Sequence, residues 1–305
     1  MQGASHGVGR LSTERVELGV ESVCRAAACE HPDVAVALAV LGLTAVFVLA
    51  AGAVLTRLDD ARDALAREAV RTRAERDAFE RFRRRVARLE PTERTRPSPT
   101  AGGTNVLSVP AGGAAVDDGL VDARRAYRET VMATAHYEEE YDETLATNVA
   151  EEFSGPVASA LAEEGGTLTP SLRTTLASGA RRASEERTDL LSRVETERSS
   201  IETAESTLAP AVDAGEDVVD RELSHATYTD LVAAYERLEW HEGRVESLLS
   251  DRQTRIHDEE HDRRRWFDYL YRSLSSPYPV LSAGAETLSL IDDGKSALAS
   301  AACNR

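Results

Sequence analysis

Two histidines one helical turn apart are the residues whose spacing points most directly to chemistry. The segment from His257 to His261, HDEEH, fits the H-x-x-E-H pattern of inverted zinc peptidases, in which both imidazoles bind one zinc ion. A metal-dependent hydrolase that uses His257, Glu260 and His261 is therefore one hypothesis. The heptad pattern around the segment turns both histidines outward, however, whereas catalytic zinc needs a walled pocket and a third ligand. We expect a solvated helix face here, and we predict no catalytic residue, metal or cofactor.

Arginines are concentrated in one stretch, next to two phenylalanines on an apolar helical stripe. The residues of this arginine cluster are Phe79, Arg81, Phe82, Arg83, Arg84, Arg85 and Arg88. Helical arginines can follow the phosphates of a nucleic acid or of an anionic lipid. The phenylalanines favour another role, docking onto a partner helix. We expect the cluster to be an interaction site, either within the chain or between chains.

The stretch between Arg128 and Arg173 contains many acidic residues and no basic one. A calcium loop would need carboxylates at alternating loop positions around a glycine, whereas the carboxylates here fall on predicted helices. Two interpretations stay open. One is a hydrated surface, and the other is a docking surface for the arginine cluster.

A run without charge extends from Val34 to Leu55 and is 22 residues long. At about 1.5 Å of rise per residue, a helix of this length spans a hydrocarbon core of about 30 Å. The run is too long for the apolar region of a signal peptide. We therefore predict a transmembrane helix over residues 34–55.

The charges that flank this run predict its orientation. Arginine residues follow it closely at Arg57, Arg62, Arg67 and Arg71, whereas few precede it. Positive charge near a span resists translocation. The prediction is a single-pass protein of the cell membrane, with its N-terminus outside and its C-terminal domain in the cytoplasm. Cys24 and Cys29 would then lie in the outer tail, and their redox state stays open.

The overall composition is strongly acidic, with a formal net charge of -17. Nucleic acid is therefore not expected as the main partner. Of the 36 basic residues only Lys295 is a lysine, so 36 − 1 = 35 are arginines. Acidity with almost no lysine resembles the proteins of halophilic archaea, in which carboxylates keep the surface hydrated. The low aromatic content, 5%, favours helical bundles over a thick globular core.

Hydrophobic spacing predicts an all-α protein in five parts. An outer tail with one helix covers residues 1–33, and the transmembrane helix covers 34–55. The same helix continues as a rod over 56–90, with an apolar stripe that includes Leu58 and Leu65. Pro, Gly, Thr and Ser dominate residues 91–118, which predicts a flexible linker. A helical coiled-coil domain then covers residues 119–302.

Two long seams organise this last domain. The first runs in 4/3 steps from Leu176 to Leu208, on a helix that begins with Thr169 as N-cap and Pro170 as first residue. The second runs in 3/4 steps from Tyr228 to Leu270. We predict that these two helices form an antiparallel coiled-coil hairpin. Shorter helices are predicted over residues 119–133, 136–153 and 156–164, and a last one over 280–302.

Three segments resemble an uncharacterised haloarchaeal helical family, known only as a domain of unknown function. They are AFERFRRRVARLEP (78–91), YRETVMATAHYEEEYDETLA (127–146) and FDYLYRSLSSPYPVLSA (267–283). The resemblance extends over residues 74–302. It implies no activity, cofactor or catalytic residue.

These observations favour a membrane-anchored helical scaffold or regulatory interaction protein rather than an enzyme. Its partner would be another protein or a second copy of the chain, bound through the coiled coil. The alternative is a membrane-anchored metal-dependent hydrolase that uses the HDEEH segment.

Overall fold

The computed structural model describes residues 32–91, 118–162, 166–220, 226–257 and 262–303, and in the first range it describes side chains from Leu49 onward. Every regular element in these ranges is a helix, so the predicted all-α fold is confirmed for them. The helices are α1 (Pro32–Arg88), α2 (Asp118–Arg128), α3 (Tyr137–Glu140), α4 (Leu145–Glu152), α5 (Gly155–Ala162), α6 (Pro170–Asp220), α7 (Tyr228–His257), α8 (Asp262–Leu270) and α9 (Pro279–Cys303). Most of the predicted outer tail and most of the predicted linker lie outside the described residues.

Helix α1 is continuous over 57 residues, as the sequence predicted for the run and the rod together. Its apolar stripe is buried, with Leu58 and Leu65 each 1% exposed. Further along, Phe79, Phe82 and Val86 are buried on the same 3/4 spacing. The helix ends at Arg88, shortly before Pro91, because a proline disfavours helical geometry in the residue before it.

Within the described residues, no helix combines the length and the apolarity needed to cross a membrane. The run predicted to do so, Val34–Leu55, lies in α1, and the side chains of residues 34–48 are outside the described ones. In the described end of the run, Ala51 is 2% exposed and Val54 is fully buried. That end of the run therefore packs against protein.

The chain forms two compact units. Unit 1 combines the residues up to Ala61 with Ile201–Arg305, and unit 2 is Arg62–Ser200. The boundaries fall inside α1 and α6, so each of these helices contributes to both units.

The core of unit 2 is built from α2, α4, α5 and the segments of α1 and α6 that belong to this unit. Its fully buried side chains include Phe82, Leu120, Tyr127, Leu161 and Leu176. Helix α6 begins as predicted, because the Thr169 hydroxyl accepts a hydrogen bond from the Leu172 N–H at 3.2 Å.

The first predicted seam is the buried face of α6. Leu176, Val194, Ile201 and Leu208 are 0 to 3% exposed, whereas Leu190 is only half-buried. The helix continues past its predicted end at Leu208 to Asp220, although it contains Pro210. The proline is exposed, so its ring lies on the solvent side of the helix.

One predicted helix, over residues 136–153, is wrong because it is broken in the structure. Helix α3 ends at Glu140, Asp142 has a positive φ of 43°, and Thr144 starts α4 as an extended N-cap. The Thr144 hydroxyl accepts a hydrogen bond from the Thr147 N–H at 3.2 Å. Asp tolerates the left-handed conformation and Thr favours the cap, so these two residue types cause the break.

In unit 1, α7 packs closely on α9. Gly294 comes close to Leu238, Gly284 comes close to Leu249, and the Lys295 ammonium donates to Glu242 at 2.7 Å. The second predicted seam supplies these contacts, since Leu238 is 1% exposed. One ion pair, Arg237 with Asp217 at 3.6 Å, joins α7 to α6. The predicted coiled-coil hairpin of α6 and α7 stays a prediction.

Candidate functional site

Three parts of unit 2 converge on the carboxylate of Glu75, which lies on α1. His136 Nε2 lies 2.9 Å from Glu75 Oε1, and the Tyr141 hydroxyl donates to the same oxygen at 3.1 Å. From α6, Arg187 Nε donates to Glu75 Oε2 at 3.1 Å. The Glu75 side chain is 15% exposed, and the His136 side chain is 8% exposed. Both oxygens of Glu75 are thus satisfied by groups from outside α1.

Arg187 extends this network to α4. Its Nη1 donates to Glu152 Oε2 at 2.9 Å, and its Nη2 donates to Glu152 Oε1, which gives the bidentate geometry of a strong guanidinium–carboxylate pair. Burial by itself disfavours the charge of Arg187, but the hydrogen bonds and charges of Glu152 and Glu75 outweigh it. The pKa of Arg187 is therefore raised, and the residue is a permanent cation.

A cluster of aromatic side chains lies under the network. The Arg187 guanidinium carbon is 4.9 Å from the ring centroid of Phe79. Phe82 meets Tyr127 edge-to-face with centroids 5.0 Å apart, and Phe153 lies 6.1 Å from both rings. The Tyr127 hydroxyl donates to Asn148 Oδ1 at 2.6 Å. Burial, with the nearby Glu152 carboxylate, raises the pKa of Tyr127, so its hydroxyl stays a donor.

At the edge of the network, Glu140 pairs with Arg71. The ligand atoms of Glu75, His136 and Glu140 lie within 4.8 Å of one another, a spacing that could hold a divalent cation. Each of these two carboxylates already accepts from a guanidinium, however, Glu75 from Arg187 and Glu140 from Arg71. A cation would have to compete with both arginines. We therefore interpret this Glu75 network as a set of ion pairs that fixes α1, α3, α4 and α6 to one another.

Residues 56–295 match the protein family described as a domain of unknown function (DUF7260). The chain belongs to this family. No curated protein and no solved structure matches the chain. The DUF7260 match begins at the residue that follows Leu55, the end of the apolar run, and it includes the whole Glu75 network.

The histidine pair lies near the C-terminal end of the DUF7260 segment. His257 is the last residue of α7, and its side chain is exposed. Glu260 and His261 lie outside the described residues, so their geometry relative to His257 stays a prediction.

The arginine cluster of the DUF7260 domain separates into a buried part and an exposed part. Phe79 and Phe82 are 1% and 0% exposed, and both belong to the core of the chain's own unit 2. Arg83 and Arg84 donate to Glu80 in the same helix, and Arg85 donates to Glu129 at 2.6 Å. Arg81 and Arg88 are exposed. Glu129 is the first residue of the acidic stretch, so one residue of the cluster does contact that stretch. Further along it, Glu140 and Glu152 pair with arginines outside the cluster, Arg71 and Arg187.

A second feature of the DUF7260 domain is an exposed face on α7. Trp240, 57% exposed, lies at its centre, and the Arg244 guanidinium carbon lies 4.8 Å from a Trp240 ring centroid. Between Thr229 and Asp251, nine exposed residues of α7 lie within about 60° of Trp240 around the helix axis. This Trp240 face consists of Thr229, Ala233, Glu236, Arg237, Trp240, Gly243, Arg244, Ser247 and Asp251.

Sequence reasoning found neither the Glu75 network nor the Trp240 face. A signal for the first was present, because Arg187 occupies a position of the α6 seam where an apolar residue is expected. A signal for the second is a tryptophan outside the second seam, between Leu238 and Glu242.

Proposed function

We propose that this chain is a membrane-anchored helical scaffold that binds a protein partner through the Trp240 face of α7. The observation that carries the proposal is the exposure of Trp240, 57%, on a helix whose opposite side is buried against α9. Tryptophan is enriched among the residues that dominate binding energy in protein interfaces. Its neighbours on the face are small or charged, which suits a docked helix better than a small-molecule pocket.

The Glu75 network supports a structural role for unit 2. Its ion pairs and aromatic contacts join α1, α4 and α6 through side chains that are largely buried. Breaking such pairs is costly, so they favour one fixed arrangement of the helices. A rigid helical unit suits a scaffold.

The membrane anchor rests on the apolar run. Because Ala51 and Val54 pack against protein, a segment exposed to lipid on all sides would be confined to residues 34–50. That segment has about 17 residues and a length of about 26 Å, at the lower limit for a spanning helix. The start of the family match at residue 56 is consistent with an anchor that precedes the domain. The following arginines favour a cytoplasmic domain, and the net charge of -17 favours a halophilic archaeal origin.

Photo-crosslinking in native membranes tests the interaction. A benzoylphenylalanine residue at Ser247, on the Trp240 face, should give a discrete adduct on illumination. The matched control is the same residue at Thr196, which is exposed on α6. Adducts of equal yield from both positions, or from neither, would contradict the proposal.

A further inference from the structure

The residue types of the Trp240 face suit a second copy of the same face as its partner. We infer that two copies of the chain pair through α7 in antiparallel orientation, with a twofold axis beside Trp240. This inference rests on the proposed function, because it names the partner of the same face.

The charges on the face suit antiparallel self-pairing. Glu236 and Arg244 lie four residues before and four residues after Trp240, so each is exposed one helical turn from the centre. A twofold axis at Trp240 places Glu236 opposite the partner's Arg244, and this pair occurs twice. Parallel pairing would instead place glutamate against glutamate and arginine against arginine. Attraction between opposite charges favours the antiparallel arrangement, and repulsion between like charges disfavours the parallel one.

The remaining positions are also compatible with close approach. The twofold axis places Ala233 opposite the partner's Ser247, and Thr229 opposite the partner's Asp251. Two small side chains thus meet one heptad from Trp240 on each side, and small residues allow helix axes to come close. The two tryptophan rings then meet at the centre and lose their exposure to water, which is the main apolar contribution available to this contact.

Gly243 supports a close contact that the single chain does not contain. A glycine inside a helix lowers helix stability relative to alanine, but it leaves room for a close neighbour. Gly284 and Gly294 have one within the chain, because an added Cβ would overlap Leu249 at the first and reach 3.0 Å from Leu238 at the second. An added Cβ at Gly243 meets no atom of the described residues within 4 Å. The partner's Arg237 faces Gly243 in the antiparallel pair.

Disulfide trapping tests the pairing and its orientation in the full chain. Cys24, Cys29 and Cys303 are first replaced by serine, and two differently tagged chains carry Ala233→Cys or Ser247→Cys. Oxidation of the mixture in membranes should join the two tags at least about tenfold more efficiently than it joins either chain to itself. A mixture of Ala233→Cys with Gln253→Cys, which is exposed outside the face, is the matched control and should give little product.

A charge exchange provides a second measurement. Glu236→Arg and Arg244→Glu should each weaken self-association about tenfold or more, and the double variant should restore it, since the exchanged charges again face each other. Sedimentation of the detergent-solubilised full chain measures the dissociation constant, at a salt concentration where circular dichroism shows a folded chain. Failure of the double variant to recover would overturn the inference.

The outcomes separate the inference from the proposed function. Self-disulfides of Ala233→Cys that exceed the mixed product would overturn the antiparallel pairing. An adduct from Ser247 to a protein of another mass, without mixed disulfides, would overturn self-pairing and leave the Trp240 face as an interaction site. The absence of both products would overturn the inference and the proposed function together.

Discussion

Arg187 holds two carboxylates, Glu75 and Glu152, that come from two other helices. Its side chain is 15% exposed, so water replaces little of either interaction if the guanidinium is removed. The loss would leave two partly buried anions and would remove the cation that covers Phe79. Removing one partner of a buried ion pair is far more costly than the net value of the pair.

We therefore expect Arg187→Leu to lower the free energy of unfolding by about 3 kcal/mol or more. Urea unfolding followed by circular dichroism measures this. The control is Arg181→Leu, because Arg181 pairs with Glu185 on the surface of the same helix with 65% of its side chain exposed. This change should cost about 0.5 kcal/mol or less. Similar losses in both variants would contradict the structural role of the Glu75 network.

A second single residue, His241, is expected to make the free energy of unfolding depend on pH. Burial, and then the charges of Arg244 and Arg237, lower the pKa of this imidazole below its usual value. The unfolded chain therefore binds a proton at a higher pH than the folded chain does. Between the two pKa values the unfolded state carries more protons, so stability rises with pH.

The expected result is a loss of unfolding free energy as the pH falls through about 6.5, the ordinary pKa of histidine. His241→Gln should remove this part of the slope between pH 5.5 and 8. Urea titrations at a series of pH values measure it. If the free energy of unfolding of the wild-type chain fell with rising pH in this window, the expected direction of the pH dependence would be wrong.

At the scale of helices, substitution by alanine is expected to change stability in opposite directions at Gly179, which faces the core, and at Gly243, which lies on an exposed face. An added Cβ at Gly179 on α6 would overlap the ring of Phe153, which is held by Phe79, Phe82 and Tyr127. The ring has little room to retreat, so the substitution overpacks the core of unit 2.

Gly179→Ala should destabilise the chain by about 1–3 kcal/mol, although alanine is the better helix former. Gly243→Ala should stabilise the separate chain by about 0.5–1 kcal/mol, since its Cβ meets open space. Thermal unfolding at low protein concentration compares the two. Stabilisation by both changes would mean that α6 and Phe153 are further apart than the structure places them.

The helices can be predicted from the sequence more readily than the contacts between them. The N-cap at Thr169 and the seam of α6 follow from local rules and periodicity, and the structure confirms both. The break at Asp142 was missed because charged residues on both sides continue a helical composition. The position of Arg187 in the α6 seam indicates a charge in a buried place, but its partner Glu75 is 112 residues away, and one sequence does not show which residue the arginine pairs with.

At the scale of the whole molecule, the apolar run and the domain that follows it have separate roles in the proposal. The match to DUF7260 begins at residue 56, and the described end of the run already packs within unit 1. Removal of residues 34–50 should therefore leave the buried stripe from Ala51 onward intact.

We expect the variant without residues 34–50 to leave the membrane pellet and to keep the helical circular dichroism of the full chain. Fractionation of cells at their native salt concentration measures the first property. The control is a variant without residues 98–114, which have the same length and lie in the predicted linker, and it should stay in the pellet. Retention of the first variant in the pellet would contradict the anchor.

The contact between Lys295 and Glu242 has a consequence for chemical labelling. Lys295 is the single lysine of the chain, so it carries the only side-chain amine that an acylating reagent can modify. The Glu242 carboxylate raises the pKa of Lys295, and the side chain is 16% exposed beside the ring of Tyr235. A protonated and sheltered amine is a poor nucleophile. The rate at which Lys295 is acylated therefore reports, at one position, how often α9 separates from α7.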